Sequence, residues 1–447
     1  MSLIRASLAN KGSDVLNASD RLRMACSAFR RVGPLQFTNV ILRGATLGSK
    51  FVLLIAIAEF MTPTAVGQYG ILAATINYAL FVVGLDFYTY STREMLGSPR
   101  DRWPSLLRNQ GAFFCVCYAT MLPVLYLFLS CVNVLPRSLE LWFFALLLLE
   151  HLAQELSRVL VIMAEPVSAT LLGFLRGGLW VFACVGVMVV APRTRIVETI
   201  MVAWSVGSLC AVIFGFIRLS RLPSSGRHTA VNWRWIWRGV KVCVPLLVST
   251  LAIRGLFVAD RYMERSLAGA EILGVYTFYI NIASAMQAFL DAAVFSFQYP
   301  RVVEAARSGD VKSFSDAVRR LGSATRTTLC VLMVIAGAGI KPLLGLLHRP
   351  IYAEHLGMFA WILAGTVLFC LSMVPHYVLY AVRRDREIIA TNLGSVAVFI
   401  GAVPLLALYL NALAVPVALV LAYGVMYTSK LTLCLKYGTP KAIALTS

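Results

Sequence analysis

The strongest constraint on this 447-residue chain is the return, from about residue 34 to about residue 436, of mostly apolar stretches long enough to cross a lipid bilayer. A helix needs roughly 20 apolar residues to span a ~30 Å hydrocarbon core. Inside that core an unpaired backbone N–H or C=O is prohibitively costly, so such stretches are expected to be helices rather than open strands. They fall at about 34–60, 67–89, 111–132, 141–163, 168–190 and 197–217, then 243–264, 272–295, 325–347, 357–381, 388–409 and 412–433. Twelve spans are therefore predicted. Only 14% of the residues are charged and 59% are hydrophobic, against roughly a quarter charged in soluble domains.

The net charge of +19 would suggest nucleic acid in a soluble protein, but here its placement reads as orientation. Basic residues concentrate in alternate connectors: Arg93, Arg100, Arg102 and Arg108; Arg218 through Lys241; Arg301 through Arg326; Arg383, Arg384 and Arg386. The intervening connectors are short and carry fewer, among them Arg137, Arg193, Arg195, Arg261, Arg265 and Arg349. Both termini are expected to be cytoplasmic, with no nucleic-acid partner. The division follows: a basic tail 1–33, a first six-helix lobe 34–220, a linker 221–242, a second lobe 243–436 and a tail 437–447. The ten cysteines lie mostly in apolar runs or basic segments, so no structural disulfide is expected. Cys115-Val116-Cys117 is too short a motif for a zinc site, and no metal or cofactor is expected.

The halves are related. Residues 34–51, PLQFTNVILRGATLGSKF, match residues 245–262, PLLVSTLAIRGLFVADRY, so that Pro, Leu, Arg and Gly recur in register 211 residues apart. A four-residue shift in the next connector aligns Gly67-Gln68-Tyr69 with Gly274-Val275-Tyr276. Six spans per half make the repeats parallel, related by an axis along the membrane normal. The expected architecture is all-α, two six-helix bundles about a central cavity.

Charges inside spans are the candidate site. Placing Arg or Lys at the bilayer centre costs about 2.5–3.5 kcal/mol even on lenient scales, which calls for a partner or an aqueous cavity. Arg43 and Lys50 stand seven residues apart in the first span, on one helical face, and Arg254 and Arg261 repeat that spacing in the seventh. Two basic stripes facing a cleft would form a cationic lumen for an anionic substrate, phosphate above all, whose geometry guanidinium matches. Arg176 and Lys341 lie nearer span ends and are equally open to snorkelling. Of the acids, Asp86 and Asp291 come late in the second span of each half and are candidates for pairing with the stripes or for ion coupling, as is Asp260. His151, Glu155 and Arg158 share a face of the fourth span, open to proton handling or to a simple internal salt bridge. Gly44-Ala45-Thr46-Leu47-Gly48-Ser49-Lys50 is one residue short of a phosphate-binding loop and reads instead as small-residue helix packing.

The chain resembles the polysaccharide-transport, Wzx-like flippases of the multidrug/oligosaccharidyl-lipid/polysaccharide (MOP) exporter superfamily, which also contains the MATE transporters. The resemblance is carried by Val66-Gly67-Gln68-Tyr69-Gly70 after the first span and by Gly84-Leu85-Asp86-Phe87-Tyr88-Thr89-Tyr90-Ser91-Thr92-Arg93-Glu94-Met95 closing the second. It implies two bundles in a V around an alternately opening cavity, in a bacterial inner membrane. It implies a polyprenyl-pyrophosphate-linked oligosaccharide as substrate among membrane lipid, with polysaccharide polymerase and glycosyltransferases as functional partners. It also implies substrate contact by Arg43, Lys50, Arg254, Arg176 and Lys341. A small-molecule antiporter of the same superfamily would call for an acid-rich cavity. A polymerase or ligase would call for a large extracytoplasmic loop, and the connectors there are short. No catalytic residues are assigned.

Overall fold

A computed structural model describes residues 34–132, 136–222 and 230–437. The tail 1–33 and the residues after 437 lie outside them. Among the described residues, nine helical stretches are long and apolar enough to cross a membrane. Two of these, Thr250–Ser308 and Asp385–Tyr437, each hold two crossings. A further helix, Arg137–Ile162, is of spanning length but carries Glu150, His151, Glu155 and Arg158 along its course. The crossings are α1 Pro34–Phe60, α2 Pro63–Gly84, α3 Trp103–Val132, α4 Arg137–Ile162, α5 Pro166–Val190 and α6 Val197–Leu219. The second half continues with α7 (233–268), α8 (270–308), α9 Val311–Leu346, α10 Leu356–Ala381, α11 Asp385–Leu410 and α12 Ala414–Tyr437.

Local chemistry sets the breaks. Thr62 caps α2 by accepting from Ala65 N at 3.3 Å, and Pro63 takes the first turn, where its missing N–H costs nothing. Between α7 and α8 the chain turns at Gly269, whose φ of 85° suits glycine alone. After α2 the turn is made by Leu85 and Asp86, with φ of 47° and 49°, before a short helix Tyr88–Leu96. Two left-handed non-glycine residues in succession cost roughly 1–2 kcal/mol each, so the surrounding contacts must hold them there.

Burial divides the bundle into two lobes. Phe143, Ile76, Trp180 and Met201 belong to a core of the first six helices, whereas Tyr276, Phe278, Phe399 and Met426 belong to a core of the last six. The lobes meet at the end expected to face outward. Glu59 on α1 accepts from His348 N at 3.0 Å, with His348 Nδ1 2.7 Å from its other oxygen. At the opposite end α7 begins at Trp233, well before the expected 243, so the expected linker 221–242 ends inside a helix. This extension packs on the first lobe: Trp235 Nε1 donates to Glu94 at 3.1 Å, and Asn232 N donates to Asn109 Oδ1 at 3.1 Å.

The repeat is realised as contact. Gly67 and Gly274, equivalent in the two halves, face each other across the α2–α8 crossing. A Cβ on Gly67 would stand 2.8 Å from Ala270 O, and one on Gly274 would stand 1.9 Å from Pro63 O. Pro63 and Ala270 are themselves equivalent by the same shift, so each half offers its glycine to the other's helix start. Gly44 and Gly48 behave otherwise, because an added Cβ on either meets nothing within 4 Å. The packing role expected for them is not what the structure shows: they lie on an exposed stretch of α1. Gly274→Ala is expected to destabilise the protein by about 1–3 kcal/mol through overpacking, whereas Gly44→Ala should leave stability unchanged. Thermal unfolding of the detergent-solubilised variants checks the contrast.

Candidate functional site: a basic cavity between the lobes

Below the α2–α8 contact a cavity of about 520 Å³ opens between the lobes. It is lined from α1 by Thr46, Lys50 and Phe51, from α2 by Tyr69, Asn77 and Tyr78, and from α4 by Glu150. Arg176 and Trp180 of α5 and Trp204 of α6 close the first-lobe side, and Arg254, Phe257 and Arg261 of α7 face them with Asn281 and Ser284 of α8. Four cations and a single carboxylate thus share one chamber.

Two of these cations have a carboxylate partner. Arg176 donates from Nε to Glu150 at 2.6 Å, and Glu150, only 3% exposed, also accepts from Trp204 Nε1 at 2.9 Å and Ser208 Oγ at 2.6 Å. Arg176 sits in a π-helical turn, Leu175–Leu179, within α5; such one-turn bulges re-aim side chains out of the regular helical register. Arg261 binds its neighbour Asp260 at 3.1 Å, and Asp260 in turn accepts from Tyr276 OH at 2.7 Å.

The other two stand apart. Among the described residues no carboxylate comes within 4.0 Å of Lys50 or Arg254. The Arg254 guanidinium lies 3.9 Å over the Phe81 ring, a cation–π contact that holds the group without neutralising it. Asp86, which Thr250 hydrogen-bonds, supplies Arg254 only with a longer-range field. Lys50 comes from the first lobe and Arg254 from the second, so the two unneutralised cations face each other across the cleft.

The remaining sequence candidates fall in different places. Arg43 continues the stripe of Thr46, Leu47 and Lys50 but is one turn beyond the lining, exposed, so it shares the face and not the chamber. Lys341 is exposed on α9, a peripheral helix, and does not reach the cavity. Arg261, counted above with the outer connectors, lies inside α7 and is only 9% exposed, because α7 runs on to residue 268. Asp291 does not pair with a basic stripe; it is exposed in a second π-turn, Asp291–Phe295, and lines a separate cavity. Asp86 stands in the left-handed turn after α2. Glu155 binds Arg158 and accepts from Gln110 at 2.8 Å, while His151 Nδ1 lies 2.7 Å from Tyr118 OH, so the α4 triplet splits into two separate contacts. Gly84 is required here, since a Cβ would stand 2.6 Å from His151 Nε2.

Sequence reasoning assigned no role to two residues. Glu150 anchors Arg176, and its signal was its place in a span with an arginine in the next. Glu264 on α7 is fully buried, and neither of its carboxylate oxygens has a hydrogen-bond partner among the described residues. It lies one turn from Asp260, a spacing that was legible as i, i+4.

No protein-family model matches the chain, and no curated protein matches it. Among solved structures, an inward-facing multidrug resistance MATE family transporter of the MOP superfamily is similar, with a TM-score of 0.72 over 89% of this chain and 96% of that one. The fold is that of the MATE transporters. Sequence identity in that comparison is 12%, so the likeness concerns architecture. A eukaryotic MATE transporter is also similar, at 12% identity and a TM-score of 0.49, over 92% of this chain and 95% of that one.

Breaking a buried ion pair by removing one partner costs about 3–5 kcal/mol. Glu150→Ala strands Arg176, Trp204 and Ser208 together and is expected to fall in that range, while Glu150→Gln, which keeps an acceptor oxygen, should be milder. The midpoint of thermal unfolding for the purified variants measures the difference.

Proposed function

We propose that the chain is a transporter that moves an anionic lipid-linked oligosaccharide across the membrane by alternating access, its pyrophosphate held between the two lobes. The observation that carries this reading is the pair Lys50 and Arg254, two cations without carboxylate partners, contributed by opposite lobes to one chamber. A phosphate between them would bind both lobes at once and be released when they part. Guanidinium and ammonium groups supply the charge-assisted hydrogen bonds that phosphate oxygens accept. The MATE fold accommodates a multidrug antiporter equally well; the cavity's excess of four cations over one acid disfavours a cationic drug.

A driving ion has a candidate seat in the second lobe. Glu264 is buried without a hydrogen-bond partner, next to Asp260. A desolvated carboxylate costs several kcal/mol, a cost that a proton or bound cation would offset. Bacterial inner-membrane placement and partnership with glycosyltransferases and a polymerase complete the reading.

Reconstitution into liposomes with a polyprenyl-pyrophosphate-linked oligosaccharide tests it. Lys50→Ala and Arg254→Ala are each expected to slow translocation about tenfold or more, with Arg254→Lys milder because charge is retained. Normal translocation by the double alanine variant, at wild-type protein levels, would sink the assignment. In the same vesicles Glu264→Gln is expected to abolish the response to an imposed proton or sodium gradient while leaving substrate binding intact, measured as Kd.

A further inference from the structure

A second cavity, of opposite character, lies within the second lobe. A cavity of about 470 Å³ lies between α8 and α10, lined by Phe295, Tyr299, Tyr377 and Tyr380, with Gln287 and Asp291. Asp291 is the single charged side chain on its wall, where the first chamber has four cations. No hydrogen bond or ion pair to the Asp291 carboxylate is formed among the described residues; the Asp291 backbone oxygen accepts from Ser296 Oγ at 2.8 Å. The rings form a connected wall: Tyr299 and Tyr377 centroids are 4.9 Å apart, Phe295 and Tyr377 5.2 Å, Tyr299 and Tyr380 5.7 Å.

The compartments adjoin. Phe257 lines the first and Phe369 the second, and their rings meet edge to face at 5.5 Å, a partition between the two. Helix α8 runs past both, presenting Ser284 and Ala288 to the first and Gln287 and Asp291 to the second. Ser284 and Asp291 are seven residues apart, about 10 Å along the axis at 1.5 Å per residue. The π-turn that begins at Asp291 turns the helix register at the boundary.

We propose that this second compartment is the sugar subsite of the lipid-linked substrate, so that the pyrophosphate occupies the chamber of Lys50 and Arg254 while the oligosaccharide lies against the Tyr299–Tyr377–Tyr380 wall under Asp291. This rests on the anionic-lipid reading above. The chemistry is complementary on three counts. Pyranose rings have C–H faces that pack on aromatic planes. Their hydroxyls are donors for a carboxylate without another partner and for the Gln287 amide. Asp291 also repels phosphate, so the two compartments orient a headgroup in one direction only: phosphate toward α1 and α7, sugar toward α10. An organic cation would also suit rings beside a carboxylate. The sugar is favoured because the hydrogen-bonding groups, Gln287 and the tyrosine hydroxyls, outnumber the charge, and because the cavity adjoins the cationic chamber across the Phe257–Phe369 contact.

The test compares two lipids in proteoliposomes: a polyprenyl pyrophosphate bearing the oligosaccharide, and the bare polyprenyl pyrophosphate. Asp291→Asn and Tyr377→Ala are expected to raise the half-saturating concentration of the sugar-bearing lipid about tenfold, a loss of ~1.4 kcal/mol, and to leave that of the bare lipid unchanged. Tyr377→Phe, which keeps the ring, should recover most of the loss and guards against misfolding of the alanine variant. Lys50→Ala should impair both lipids alike. Equal losses for the two lipids in Asp291→Asn, or none, overturn the subsite. So does tetraphenylphosphonium binding to the wild type that disappears in Asp291→Asn, which would make the compartment a cation site. Should the wild type move neither lipid, the transport reading falls separately, and the Kd ratio of the two lipids for wild-type and Asp291→Asn protein in detergent decides the subsite by the same contrast.

Discussion

Two glycines hold the architecture together. Gly67 and Gly274 let the backbones of α2 and α8 come close enough that a single added methylene would collide with a carbonyl of the opposite half. Because that contact lies near one end of the bundle, with Glu59 and His348 beside it, the lobes are joined there and a chamber opens beneath. The cavity is a consequence of how small two residues are.

The physics of charge in a membrane explains the layout of the chamber. Each cation lining the chamber has found a separate answer to desolvation. Arg176 has a carboxylate that three donors support; Arg261 has the adjacent Asp260; Arg254 has a ring face; Lys50 faces the open cavity. Only the last two leave their charge unneutralised, and they are not the symmetry mates the duplication would pair. Arg43 matches Arg254 and Lys50 matches Arg261 in sequence. The unneutralised pair is diagonal, one residue from each copy, because Asp260 exists in the second half where the first has Gly48-Ser49 at the matching stretch.

Much of this was legible in the residues. Apolar periodicity predicts twelve crossings, and the PL…RG repeat predicts two halves whose first helices carry arginines. Three things were hidden for identifiable reasons. Helix faces drift where the backbone departs from 3.6 residues per turn, so no pattern could show that π-turns re-aim Arg176 and Asp291. A helix boundary set by tertiary packing is invisible to hydropathy, which is why α7 seemed to start near 243, when Trp235 and its neighbours hold the polar start of the helix on the first lobe. A seven-residue spacing places Arg43 on the right face but says nothing of depth, and the lining ends one turn before it. Gly44 and Gly48 show the converse, a packing motif without a partner helix.

The polar start of α7 has a mechanical meaning. Its first turns are fixed to Phe87, Tyr90 and Phe113 of the first lobe, yet the same helix carries Arg254 and Asp260 into the second. One continuous rod therefore belongs to both bodies. Any movement that opens the far end must bend that rod or tear its root from the aromatic nest, and Pro245 lies between the root and Arg254, offering no amide hydrogen to the helical ladder. A bend at Pro245 would fall inside the one helix that both lobes share.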